Sequence, residues 1–144
     1  MTSLNADLEE IVPVSQFRPG FATYASVGWA DLMCAEIPIR PSTRQITAHD
    51  LIILGGPVWF GSIAAPVRGW LKASRPAATL STRFATFVTL GGSDPKVAFA
   101  ELDELAGRPA IARLAIRERD RKNGLDSVLA AEFIRKLAPL RLAA

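Results

Sequence analysis

Asp50-Leu51-Ile52-Ile53-Leu54-Gly55-Gly56-Pro57-Val58-Trp59-Phe60-Gly61-Ser62 is the stretch on which the fold turns. Leu51 to Leu54 are four apolar residues in a row, so a strand here has no polar face to turn to water. Both of its faces must be covered, which is the signature of a parallel sheet sandwiched between helices. The glycine pair ends the strand, and Pro57 to Ser62 reads as a loop at its carboxyl end. Pro66 then falls in the first turn of a helix that runs to about Ala73, with Val67, Trp70 and Leu71 inward.

The pattern repeats downstream. Phe84-Ala85-Thr86-Phe87-Val88-Thr89-Leu90-Gly91-Gly92 predicts a second strand of the same kind, and Ala110 to Ile116 a weaker third. Asp94 caps the intervening helix, Pro95 takes its first position, Leu102 and Leu105 line its buried side, and Gly107 stands just past its end. A last helix follows the Asn123-Gly124 turn, carries Leu125, Val128, Leu129, Phe133 and Leu137, and stops at Pro139. Upstream, Ala6 to Val14 predicts a short edge strand that ends near Pro13, and Phe21 to Met33 a helix weakened by Gly28; Pro38 and Pro41 then break the chain.

Alternating strands and helices with short connections predict an α/β class: a doubly wound, mainly parallel sheet with right-handed crossovers. The 144 residues make one domain, 1–144. Hydrophobic residues are 49% and charged residues 22%, a globular composition that excludes intrinsic disorder. One cysteine, Cys34, excludes a disulfide scaffold and fits a reducing, cytoplasmic compartment; with one histidine, His49, it leaves no Cys/His metal site. The first ten residues lack the pattern of a signal peptide, and no apolar run approaches the roughly 20 residues that span a bilayer, so no membrane is expected. The net charge is +3, with nine basic and four acidic residues between Arg108 and Arg141. The densest run, Arg117-Glu118-Arg119-Asp120-Arg121-Lys122, alternates in sign and reads as a solvated loop rather than a nucleic-acid patch.

Ligands of doubly wound sheets bind outside the carboxyl ends of the strands. That places function in two loops: Pro57, Val58, Trp59, Phe60, Gly61 and Ser62 after the first strand, and Thr89, Leu90, Gly91 and Gly92 after the second. Glycine lets a backbone approach a flat ligand and present N–H groups, and Trp59 and Phe60 offer aromatic faces. Neither loop pairs a nucleophile with a base, so no catalytic side chain is expected. A planar, polar-edged heterocycle suits these loops better than a charged substrate. His49 reads as a loop residue, Cys34 as a small hydrophobe, Phe21, Tyr24 and Trp29 as core, and Asp94 as a helix cap.

The stretch from Asp50 to Arg68 resembles the third strand and flavin loop of short flavodoxin-like proteins, whose pattern is an apolar strand, Gly-x-Pro-Val-Trp, a small residue and a Pro-Val helix start. Thr89-Leu90-Gly91-Gly92 resembles that family's second flavin loop, and the likeness runs from about Ala6 to Ala138. The resemblance implies FMN as cofactor and electron transfer as function, either as a carrier or as an NAD(P)H:quinone-type oxidoreductase, with a nicotinamide or a protein as electron donor. The family opens with a strand, a Ser/Thr-x-Thr-Gly-Asn-Thr loop for the FMN phosphate, and a helix. No such segment is found here, and Ala6-Asp7-Leu8-Glu9-Glu10-Ile11 resembles the family's second strand. The expectation is therefore an N-terminally truncated flavodoxin-like domain with a weakened or absent phosphate site. Without a central first strand, the Asp50 strand pairs with the Ala6 strand, borrows a partner's strand or leaves an edge exposed, and a homodimer is expected. The alternative is a non-catalytic association module that binds no flavin.

Overall fold

The computed structural model describes residues 6–14, 37–44, 46–74 and 82–138. Among them, four strands form one sheet: β1 (Leu51–Trp59), β2 (Ser62–Ile63), β3 (Arg83–Leu90) and β4 (Arg113–Arg117), in the order β2-β1-β3-β4. The helices are α1 (Ala65–Ser74), α2 (Lys96–Ala106), α3 (Glu118–Lys122) and α4 (Asp126–Leu137). β1 and β3 run parallel from Leu51↔Arg83 to Pro57↔Thr89, and β3 and β4 run parallel from Thr86↔Arg113 to Leu90↔Arg117. β2 is the antiparallel exception, paired to the end of β1 through Val58↔Ile63 and Trp59↔Ser62.

The double winding follows from side-chain alternation. Leu54 on β1 and Phe84, Val88 and Leu90 on β3 point to one face, where Val67, Trp70 and Leu71 of α1 and Ala98, Leu102 and Ala106 of α2 complete the main core. Ala85, with Leu51, Ile53 and Leu114 beside it, points to the other face and meets Phe133 and Leu137 of α4. The predicted α/β class and mainly parallel sheet are thus the observed ones.

Several boundaries differ from expectation, each for a local reason. β1 does not stop at the glycine pair but continues to Trp59. Gly55 is a packing glycine rather than a terminator: a Cβ there would collide with the Phe87 ring, which lies across it. Pro57 is tolerated because its missing N–H falls on the outer edge, while its carbonyl accepts from Ala64 N at 3.0 Å. The third strand begins at Arg113 rather than Ala110, although Ile111 N to Phe84 O (2.8 Å) and Thr86 N to Ala112 O (3.0 Å) already hold it in place. The alternating run Arg117–Lys122 is solvated but not a loop. Glu118–Lys122 forms α3, with acids in its first turn, bases in its last, and a Glu118–Lys122 pair at 2.8 Å.

Ala6 to Val14 forms no regular strand. It makes one antiparallel bridge, Pro13↔Ile39, flanked by Val14 N to Pro38 O (2.9 Å) and Arg40 N to Val12 O (2.8 Å). Pro38 has no N–H to return the Val14–Pro38 bond, so the ladder loses one of its two bonds there. The expected Phe21–Met33 helix, Trp29, Cys34 and Pro139 lie outside the described residues. Residues 7–12 and 40–44 stand opposite β1 across a cleft of about 750 Å³, rather than pairing with it.

The far side of that cleft is pinned by Glu9. Its carboxylate accepts from Ser42 Oγ (2.6 Å), Thr43 N (2.6 Å) and Thr43 Oγ1 (2.9 Å). The Ser42 hydroxyl first, then the Thr43 amide, lowers its pKa from 4.5 to about 2. Because the folded value is the lower one, this tie is at full strength above pH 4.5 and is lost as pH falls toward 2. An NMR titration of the Glu9 carboxyl carbon should show a midpoint near 2, and a midpoint above 4 would contradict the tie. Thr86 supplies a second test. Its fully buried Oγ1 has no hydrogen-bond partner among the described residues, so Thr86→Val should raise the unfolding free energy in urea by about 1 kcal/mol. A loss of stability would mean that the hydroxyl is satisfied.

Candidate functional site

Parallel strands end on the same side of a sheet, so the β1–β3 register decides what meets there. Pro57 is paired with Thr89, which puts the two predicted loops shoulder to shoulder. Of the predicted site residues, Pro57, Phe60, Thr89, Gly91 and Gly92 are exposed, and Gly61 and Ser62 are half-buried. Val58 and Trp59 pack against the main core, and Leu90 is buried within it, so Leu90 offers a ligand only its backbone. Beside both turns the space is open: a Cβ on Gly61, Gly91 or Gly92 would meet nothing within 4 Å. A flat ligand could lie against either backbone without a side chain in its way.

The first turn is tight. Phe60 and Gly61 are the two residues between the paired Trp59 and Ser62, with φ of 51° and 85°. Positive φ at both central positions is what a type I′ hairpin requires, and its favoured sequence is Asn-Gly or Gly-Gly rather than Phe-Gly. Among the described residues Phe60 is the single non-glycine with positive φ, and it is 82% exposed. A bulky side chain in this region is a strained feature of the kind found at binding sites. The structure therefore divides two adjacent aromatics: Trp59 braced on the core, Phe60 free at the tip.

The second turn leads into α2. Asp94 Oδ1 accepts from Lys96 N at 3.0 Å, as its capping role predicts, and Gly107 closes the helix with φ of 69°. Asp94 thus brings its own negative charge to the start of α2, where a phosphate would otherwise be drawn.

A polar network behind the first turn was not expected from the sequence. Glu101 Oε2 accepts from Ser62 Oγ (2.5 Å) and Ile63 N (3.0 Å). Arg68 Nη1, in a residue 2% exposed, donates to Ile63 O (2.5 Å), Ser62 Oγ (3.0 Å) and Glu101 Oε1 (3.4 Å). One signal could have revealed it. Glu101 lies at i+3 from Ala98 and i−4 from Leu105, and Arg68 at i−3 from Leu71, so each is a charge on an apolar helical stripe. His49 lies at the other end of β1, where Asp7 Oδ2 stands 3.5 Å from both His49 Nε2 and Arg44 Nη1. Among the described residues no three of His, Cys, Asp and Glu gather as a metal site.

The sequence matches no protein-family model and no curated protein. Among solved structures, it is similar to a flavoprotein from Lactobacillus acidophilus NCFM crystallised in complex with FMN. The likeness has a TM-score of 0.55 at 22% identity and covers 80% of this chain and 76% of that one. It shows that the two chains share a fold.

Phe60→Asn tests the turn. Asparagine tolerates positive φ, so the substitution should raise the unfolding free energy by about 1 kcal/mol in urea denaturation. A destabilised variant would mean that the Phe60 ring contributes packing that outweighs its backbone strain.

Proposed function

We propose that this chain is a flavin-binding redox protein that holds FMN across the two turns at the carboxyl ends of β1 and β3. The observation that carries this is the open space beside Gly61, Gly91 and Gly92, on adjacent parallel strands with Trp59 and Phe60 at one side. The likeness to an FMN-bound flavoprotein supports it. When bound, FMN supplies the electron-transfer chemistry. The protein would supply the walls: Trp59 and Phe60 would offer ring faces, and the backbone N–H groups of Gly61, Gly91 and Gly92 would be the donors available to the polar edge of the ring system. Pro57, Val58, Ser62, Thr89 and Leu90 complete the two turns. With a nicotinamide as donor, the activity is of NAD(P)H:quinone type; with a protein donor, the chain is an electron carrier.

The phosphate is held weakly in this proposal, because Asp94 occupies the start of α2. We further propose that the chain works as a homodimer in the cytoplasm. The dimer draws on the outer edge of β1. Asp50 O bonds Arg83 N on the β3 side, so by alternation Leu51, Ile53 and Gly55 turn their backbone groups outward, and among the described residues no ladder meets them. The same edge favours the second reading, an association module that binds no flavin. A monomer in light scattering would remove the dimer from both. No helix among the described residues is long and apolar enough to cross a membrane.

Titration of the flavin-free chain with FMN, followed by fluorescence quenching, tests the main proposal. Trp59→Ala should weaken binding by about 1–3 kcal/mol, the scale of one aromatic stack. Riboflavin should bind within about tenfold of FMN, since little is gained at the phosphate. A native chain that binds neither would leave the association module standing.

A further inference from the structure

We propose that Glu101, in the middle of α2, is a positioning residue that fixes the Phe60–Gly61 turn from behind and thereby sets ligand affinity at that turn. The inference rests on the flavin proposal for its affinity readout alone.

β2 is two residues long, and its ladder to β1 is correspondingly short. In a hairpin closed by two residues, Trp59 and Ser62 form the hydrogen-bonded pair, so the N–H and C=O of Ile63 point away from β1. Both are taken up by the network: Ile63 N donates to Glu101 Oε2 at 3.0 Å and Ile63 O accepts from Arg68 Nη1 at 2.5 Å. Ser62 is pinned in the same way, donating its hydroxyl to Glu101 Oε2 at 2.5 Å and accepting from Arg68 at 3.0 Å. Every polar group on the return arm that faces away from β1 therefore ends on Glu101 or Arg68.

Those two residues come from different elements. Arg68 is on α1, the helix that the return arm leads into, whereas Glu101 is on α2, which the second turn leads into. Glu101 thus ties the first strand-end turn to the element that carries the second. A buried ion pair is weak evidence for stability, because apolar replacements of similar volume often serve as well; its best-attested use is to select one conformation. Here the conformation selected holds a phenylalanine at φ 51°. An untied hairpin would be free to relax that residue and shift both aromatics.

Hydrogen exchange read peptide by peptide, with an FMN titration beside it, tests this. In Glu101→Ala, amides of residues 58–64 should exchange at least about tenfold faster while those of β3 keep their protection. FMN affinity should fall by about tenfold. Glu101→Gln keeps one acceptor oxygen for Ser62 and Ile63 and should recover most of both losses. If Glu101→Ala exposes β3 as well, the double variant Arg68→Met/Glu101→Met, which leaves no unpaired buried charge, replaces it with the same expectation. Unchanged exchange at 58–64 overturns the proposal, as does faster exchange with unchanged FMN affinity. A native chain that binds no FMN removes the flavin proposal only, and the exchange at 58–64 then decides whether Glu101 fixes the turn.

Discussion

The parallel ladder from Leu51↔Arg83 to Pro57↔Thr89 is the constraint on which the rest of the molecule depends. Parallel pairing forces a crossover between the strands, and α1 fills it, which covers one face. The second crossover, through α2, thickens the same layer, and α4 closes the other face against Ala85. The ladder also determines that both strands point the same way, so that the turn after β1 and the turn after β3 open on the same side. A shift of one residue would send Leu54, Phe84 and Val88 out of the main core. The core thus enforces the register, and the register brings the candidate site together.

β1 treats its two edges differently. Toward β3 it is paired along seven positions; on the outer side its ladder among the described residues is β2, at Val58 and Trp59. The closed part carries the candidate turn, and the cleft bounded by residues 7–12 runs along β1 as far as Trp59. The two parts of the edge therefore differ in constraint. A short hairpin holds its backbone in a single arrangement, whereas an edge without a ladder leaves its backbone groups to other partners. Pro57 marks the change between them, since it has no N–H to offer the outer edge and its carbonyl goes to Ala64.

What could be read from the sequence divides along physical lines. Signals that depend on one element and its immediate neighbours were legible. The unbroken apolar run at Leu51–Leu54 marked a strand covered on both faces, and Gly107 marked the end of α2. Features that depend on two distant segments were not. Gly55-Gly56 looked like a stop because nothing local shows that the Phe87 ring lies across Gly55. Ala6–Val14 has the apolar content of a strand, but its partner segment puts Pro38, which has no N–H to give, at the hydrogen-bonded position opposite Val14, and the pairing is a single bridge. The candidate site was legible as two strand-end loops, which the β1–β3 register places side by side, because glycine and aromatic residues at strand ends carry a local meaning. Which of their side chains are exposed was not: Leu90 belongs to the core, and only the pleat of β3 decides that. Glu101 was hidden for the same reason, since its partners are nearly forty residues away in sequence.

The strain at Phe60 connects these observations energetically. Holding a non-glycine residue at positive φ costs of order 1–3 kcal/mol, and a hairpin whose return arm is two residues long has few ladder bonds with which to meet it. Each net hydrogen bond contributes about 0.5–1.5 kcal/mol, more where a charge takes part. Ser62 and Ile63 make two bonds to Glu101 and two to Arg68, all charge-assisted and largely shielded from water. The sum is of the same order as the strain and exceeds what the short ladder alone provides. The return arm is therefore held mainly from behind, by α1 and α2, rather than from the side by β1. That arrangement keeps Phe60 at 82% exposure on a fixed backbone, a combination that a turn stabilised by burying its own tip could not achieve.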